Sequence, residues 1–280
     1  MVSRYKQDNI MSRIEAKFKK LAGKRAALIT FVTAGDPNPE ATLPLMHSMV
    51  KAGADVIELG VPFSDPMAEG PVIQAACERA LLHHINLPQI FEIVRQFRET
   101  DQETPVILMG YLNPLEVMGY AEFAKQASAA GVDGVLTVDI PPEEAAEYCE
   151  DMHAQNVDTV FLVAPTSTDE RIKAICEKSR GFVYYVSLKG VTGSKNLDIV
   201  SVKDKLNQIE QFSTIPVGVG FGIKDADSAA QVAAVADAVV VGSAIVKLVG
   251  ANAGDNTKMQ KDVTDLIKSM RTAIDQTGKV

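Results

Sequence analysis

The chain has 280 residues, 46% of them hydrophobic and 23% charged, which is enough apolar material for a sizeable core. Its net charge of −8 makes nucleic acid and anionic membrane poor partners, although a local backbone site can still hold an anionic substrate. No run approaches the roughly 18 apolar residues that a membrane span needs, and no signal peptide is visible, so a cytoplasmic protein is expected.

In chain order, MVSRYKQDNI (1–10) is polar and reads as a frayed end, with Met11 an alternative start. MSRIEAKFKKLAG (11–23) reads as an added helix that caps the bottom of whatever follows. Short β-branched runs then alternate with longer amphipathic ones. ALITFV (27–32) precedes a helical PEATLPLMHSMVKAG (39–53), and DVIELGV (55–61) and PVILMGY (105–111) follow. LEVMGYAEFAKQASAAG (115–131) reads as one helix before GVLTVDI (134–140), and PEEAAEYCEDMHAQN (142–156) as another before TVFLVA (159–164). DERIKAICEKS (169–179), FVYYVS (182–187), IPVGVGF (215–221), DSAAQVAAVA (227–236) and DAVVVGS (237–243) continue the alternation. The phrases KAGAD, AAGVD and AAVADA recur just before strands, as one αβ joint used repeatedly.

Near-continuous apolar strands point to a parallel sheet covered on both sides. Eight βα units without a Pro/Gly/Ser linker predict a single (β/α)8 barrel domain over residues 1–280, with an extra N-terminal helix. A doubly wound sheet is the competing arrangement. Cys77, Cys149 and Cys176 lie far apart in helix-like stretches, and His47, His83, His84 and His153 form no ligand pattern. Reduced thiols and no metal are therefore expected.

In such a barrel the active site lies at the C-terminal strand ends. Those ends carry Phe31 and Thr33, Glu58 with Asp65 and Glu69 beyond it, Tyr111 and Asn113, Asp139, then Tyr184 and Ser187. Alternation puts Val56, Glu58 and Gly60 on one strand face and Ile57, Leu59 and Val61 on the other. The bulky face suits the helix layer, so Glu58 is predicted to point into the barrel near its mouth. There it would be partly desolvated, its pKa raised, and fit for general acid–base work. The bland alternative is a surface or salt-bridged glutamate. Gly220-Phe221-Gly222 and Gly242-Ser243 end the last two strands, and each precedes a predicted helix start. That combination points to a phosphate site, against a bland reading as tight turns. LKGVTGSKN (188–196) reads either as a lid or as an ordinary exposed loop.

Six segments together carry a resemblance: FVTAGDP (31–37), ELGVPFSDPMAEGPVIQ (58–74), MGYLNP (109–114), GVTG (190–193), GFGI (220–223) and VGSAIV (241–246). They are similar to the tryptophan synthase alpha subunit family, in order, from about Met11 to the C-terminus, and the PFSDP segment is the most specific. The resemblance implies retro-aldol cleavage of indole-3-glycerol phosphate to indole and glyceraldehyde 3-phosphate. No cofactor would be held by this subunit. A pyridoxal-phosphate-dependent beta subunit would take the indole in a linear αββα complex.

By the same resemblance Glu58 is the acid that protonates indole C3, and a second carboxylate, here Glu69, faces the indole N–H. Thr192 would orient that second acid, and Phe31 and Tyr184 would line the pocket. Phosphate would rest on Gly193, Gly220, Phe221, Gly222, Gly242 and Ser243. Two positions depart from the family pattern: Glu69 stands where aspartate is usual, and Leu188 where many members carry arginine. The Glu69 change is the support for an alternative, a catalytically weakened subunit that binds ligand and mainly activates its partner. Two barrels of the same pathway, indole-glycerol-phosphate synthase and phosphoribosylanthranilate isomerase, are the same-fold rivals. Both lack the PFSDP loop, and no mid-strand lysine is present to serve the synthase.

Overall fold

The computed structural model describes residues 11–187, 198–220 and 222–278. Nine strand segments form one sheet: β1 (Ala27–Thr33), β2 (Val56–Gly60), β3 (Val106–Gly110), β4 (Gly134–Thr137), β5 (Asp158–Val160), β6 (Leu162–Val163), β7 (Val183–Val186), β8 (Val217–Gly220) and β9 (Ala238–Val241). All pairings are parallel, in the order β5-β4-β3-β2-β1-β9-β8-β7-β6. Segments β5 and β6 are the two halves of the strand predicted over 159–164, interrupted at Phe161. The lower half pairs with β4 and the upper half with β7, and the Tyr184 N–H donates to the Phe161 carbonyl at 3.0 Å. The chain itself thus closes the ring, and eight staves form the (β/α)8 barrel.

Alternation along the strands sorts the core into two layers. Ile29, Val56, Ile107, Leu136, Phe182 and Val240 fill the barrel interior, together with Ile14, Phe18 and Leu21 of helix Arg13–Leu21. That helix plugs the bottom, as its sequence predicted. Leu28, Val32, Ile57, Leu59, Leu108 and Val135 point the other way, into the helix layer. The C-terminal helix Asn256–Thr277 completes that layer against Pro39–Ala52 and Ala226–Ala233.

The recurring αβ joint has a physical explanation. Gly53 and Gly131 end their helices at φ 111° and 88°, where a Cβ is disfavoured. The aspartate that follows each turn accepts an N–H at the start of the neighbouring strand. Asp55 accepts from Leu28 at 2.9 Å, Asp133 from Val106 at 2.8 Å and Asp237 from Val217 at 2.9 Å. Asp158 uses its carboxylate differently, accepting from Ser12 Oγ at 2.6 Å, and Ser12 in turn caps helix Arg13–Leu21. The joint therefore fixes both strand register and the bottom plug.

Two predicted helices are corrected. The one over 115–131 is two, Leu112–Met118 and Tyr120–Ala130, because Gly119 at φ 85° breaks the run. The one over 142–156 spans only Ala146–Ala154, starting well after Pro141-Pro142. All three cysteines are buried and free. Among the described residues no group of three or more His, Cys, Asp or Glu is placed to hold a metal. No helix among them is long and apolar enough to cross a membrane.

Candidate active site

Glu58 sits mid-strand in β2, facing inward, with Phe31 beside it across β1 and Ile107 across β3. It is 1% exposed, and its Oε1 has no hydrogen-bond partner among the described residues. Burial, and secondarily the neighbouring Glu69, push its carboxyl up to about 8. It is therefore neutral at neutral pH and carries a proton. The sequence predicted partial desolvation near the mouth; the structure buries the group deeper, beneath the pocket rather than in its wall.

That pocket opens to solvent and is walled by Phe31, Thr33, Glu69, Cys77, Met109 and Tyr111 among others. Glu69 is half-buried, and burial raises its pKa as well. The Tyr184 phenol is held well above its usual range by burial and by the two glutamates. Glu58, Glu69 and Tyr184 are thus close enough to sense one another's charge, and Phe31 lies against them.

Glycines make this crowding possible. A Cβ on Gly60 would come within 2.6 Å of Phe31 Cζ, and one on Gly220 within 2.0 Å of the Tyr184 hydroxyl. Ser187 fixes the end of β8 by donating from Oγ to the Gly220 carbonyl at 2.9 Å.

At the predicted phosphate end, Gly242 is the N-cap of helix Ser243–Ala251, and no side chain caps it. A Cβ there would lie 3.6 Å from Phe31 Cβ, so this helix start adjoins the aromatic wall. Gly222 adopts φ 77° in the neighbouring loop. The second predicted helix start carries its own cap: Asp225 and Ser228 form a capping box on Ala226–Ala233, and the Asp225 carboxylate accepts the Ser228 N–H at 2.9 Å. Of the two predicted helix starts, the one at Gly242 has no side-chain cap, and glycines stand at both turns. Thr192, Gly193 and Phe221, with Leu188 and Lys189, lie outside the described residues.

Other expectations separate from the site. Asp65 is exposed and accepts from Ser64 Oγ at 2.6 Å, so of the two loop acids only Glu69 joins the pocket. Asp139 is exposed and accepts the Leu112 N–H at 2.8 Å, a helix-start contact. The sequence reading missed Ile73, Cys77 and Met109 as pocket walls. A signal existed: Ile73 and Cys77 stand four apart on helix Pro71–Leu81, on one face, and Met109 alternates with Tyr111.

A closed parallel barrel with an orphaned, protonated acid under a pocket at its C-terminal mouth defines a (β/α)8-barrel enzyme. The sequence matches the family model for the tryptophan synthase alpha chain over residues 18–275. Tryptophan synthase alpha chains from Thioalkalivibrio sulfidiphilus and Marinobacter nauticus are 59% and 56% identical to it. Each alignment covers 95% of this chain, with 100% and 98% of those relatives. The crystal structure of tryptophan synthase subunit alpha from Legionella pneumophila superposes with a TM-score of 0.88 at 46% identity, covering 95% of this chain and 100% of that one. A chain of the tryptophan synthase α2β2 complex from Pyrococcus furiosus gives a TM-score of 0.81 at 38% identity, covering 88% and 98%. The chain belongs to the tryptophan synthase alpha chain family.

Proposed function

We propose that this chain cleaves indole-3-glycerol phosphate to indole and glyceraldehyde 3-phosphate. The observation that carries this reading is Glu58, a buried carboxyl with no partner at Oε1 that holds its proton up to about pH 8. An acid in that state is matched to the first step, protonation of indole C3. The resulting carboxylate accepts the proton of the hydroxyl on the carbon bonded to C3. That carbon becomes the aldehyde carbon, the C–C bond breaks, and its electrons return to the ring. Glu58 ends the cycle protonated, as it began.

Positive charge develops on the ring nitrogen in between. Glu69, in the pocket wall, is the anion available to stabilise it. Phe31 and Met109 supply apolar surface for the flat ring. Gly220, Gly222, Gly242 and Ser243 would receive the phosphate, mainly through backbone N–H groups and the open helix start. Thr192, Gly193 and Phe221 join this assignment by resemblance. No cofactor is assigned to this chain. Its partner would be a pyridoxal-phosphate-dependent beta chain in an αββα assembly, a reading supported by the α2β2 complex of the Pyrococcus furiosus relative.

The ligand-binding, catalytically weakened subunit is the less favoured reading, because nothing in that role needs a buried, protonated Glu58. Indole release from indole-3-glycerol phosphate, with and without a beta chain, tests the choice. Release that Glu58→Gln abolishes supports the lyase. No release, with substrate still bound, favours the regulatory subunit.

A further inference from the structure

The segment that carries Glu69, residues 61–70, leaves β2 and enters helix Pro71–Leu81 with little regular structure of its own. It makes two backbone turns of its own, Met67 N–H to the Asp65 carbonyl and Glu69 N–H to the Pro66 carbonyl, and one side chain from outside holds it at both ends. Tyr111, just past β3, is 4% exposed and lines the pocket. Its ring stacks on Phe63, near the start of the segment, with centroids 5.2 Å apart and planes 26° apart. Its hydroxyl accepts the Ala68 N–H, near the end of the segment, at 2.8 Å. One ring therefore holds the loop at two points five residues apart, the second directly before Glu69. Gln74 Nε2 donates to the Glu69 carbonyl at 2.8 Å from the helix side. Strand β3, which positions Tyr111, is also the stave paired to β2, with Ile107 opposite Glu58. Tyr111 thus ties the loop acid to the same pair of staves that fixes the strand acid.

We infer that Tyr111 is a positioning residue for Glu69, setting through Ala68 where that carboxylate stands relative to Glu58 and the bound ring. The inference rests on the lyase reading above. Its physical motive is the length of Glu69. A glutamate has one more rotatable bond than an aspartate, so its carboxylate is placed accurately only if its backbone is held. A displacement of about 1 Å is enough to cost on the order of 100-fold in rate.

The test is Tyr111→Phe, which keeps the ring on Phe63 and removes only the acceptor for Ala68. It is assayed as indole release by the full chain with a tryptophan synthase beta chain. The same change is made in a Glu69→Gln background, and thermal midpoints are recorded for all four proteins. The expected result is a kcat lower by about tenfold with KM changed less than about twofold, and less than about twofold further loss when Glu69 is already Gln. An equal loss in both backgrounds would mean that Tyr111 acts through pocket shape or folding and not through Glu69, and would overturn the inference. An unchanged kcat would do the same. If the unmodified chain releases no indole, the lyase reading itself fails and the inference falls with it; release by the unmodified chain with no effect of Tyr111→Phe removes the inference alone.

Discussion

At the bottom of the barrel Asp133 is 5% exposed and accepts from Arg13 at 2.8 Å, Arg98 at 2.6 Å and the Val106 N–H at 2.8 Å. At the mouth Glu58 is buried more deeply still, and its Oε1 accepts from no donor among the described residues. Asp55 repeats the bottom pattern, bridging Arg25 at 2.6 Å and Arg271 at 3.0 Å while holding the Leu28 N–H. Glu69 repeats the mouth pattern: burial raises its pKa, and its charge adds to the rise at Glu58. Burial raises the pKa of Asp133 too, but Arg98, Arg13 and the Val106 N–H act against that rise. At Glu58 the neighbouring Glu69 adds to it instead.

Removing each kind of acid should break the molecule differently. Glu58→Gln is the largest expected effect on activity: indole release falls by about a thousandfold or more, as loss of a general acid that also serves as the base implies. Its fold survives. Chemical unfolding should even show a gain that depends on pH. The folded-state pKa of Glu58 is raised to about 8. Stability linked to it is fully present below its unfolded value and is lost as pH rises toward the folded one. The advantage of Glu58→Gln over the parent should therefore grow from about pH 4.5 to pH 8, by on the order of 5 kcal/mol. An advantage independent of pH would mean that Glu58 is already charged in the native state.

Asp133→Ala is the converse. It leaves Arg98 buried without its carboxylate and should destabilise by about 3–5 kcal/mol in urea unfolding. The kcat of the molecules that remain folded should not change. A kcat loss there, beyond the loss of folded protein, would blur the division between the two ends.

A smaller effect concerns pH and activity. Because Glu58 must hold its proton in the free enzyme, kcat/KM should decline above about pH 8. Glu69→Gln removes the charge that adds to the upward push, so the decline should begin at lower pH. An unmoved profile would uncouple the two acids. The smallest effect belongs to Ser12→Ala. It removes the cap of helix Arg13–Leu21 and the partner of Asp158, and a loss of about 1 kcal/mol is expected by thermal unfolding, with activity unchanged.

Much of this was legible in the residues. The apolar runs, their alternation and the repeated Gly-x-Asp joint determined the strands, their parallel arrangement and the inward face of Glu58, because these follow from local periodicity and turn chemistry. The plug helix was legible too, since Ile14, Phe18 and Leu21 share one face. Only the tertiary structure decided the rest. Periodicity does not report whether a buried acid will meet a donor, because the donor comes from elsewhere in the chain: Arg98 reaches Asp133 across 35 residues and Arg271 reaches Asp55 across 216, while no donor among the described residues reaches Glu58 Oε1. Nor does it show that Asp225 engages one of the two predicted phosphate-binding helix starts, that Asp65 turns to Ser64, or that Tyr111 anchors the loop bearing Glu69. Each of these depends on distances set by closing the barrel, which bring together residues far apart in sequence.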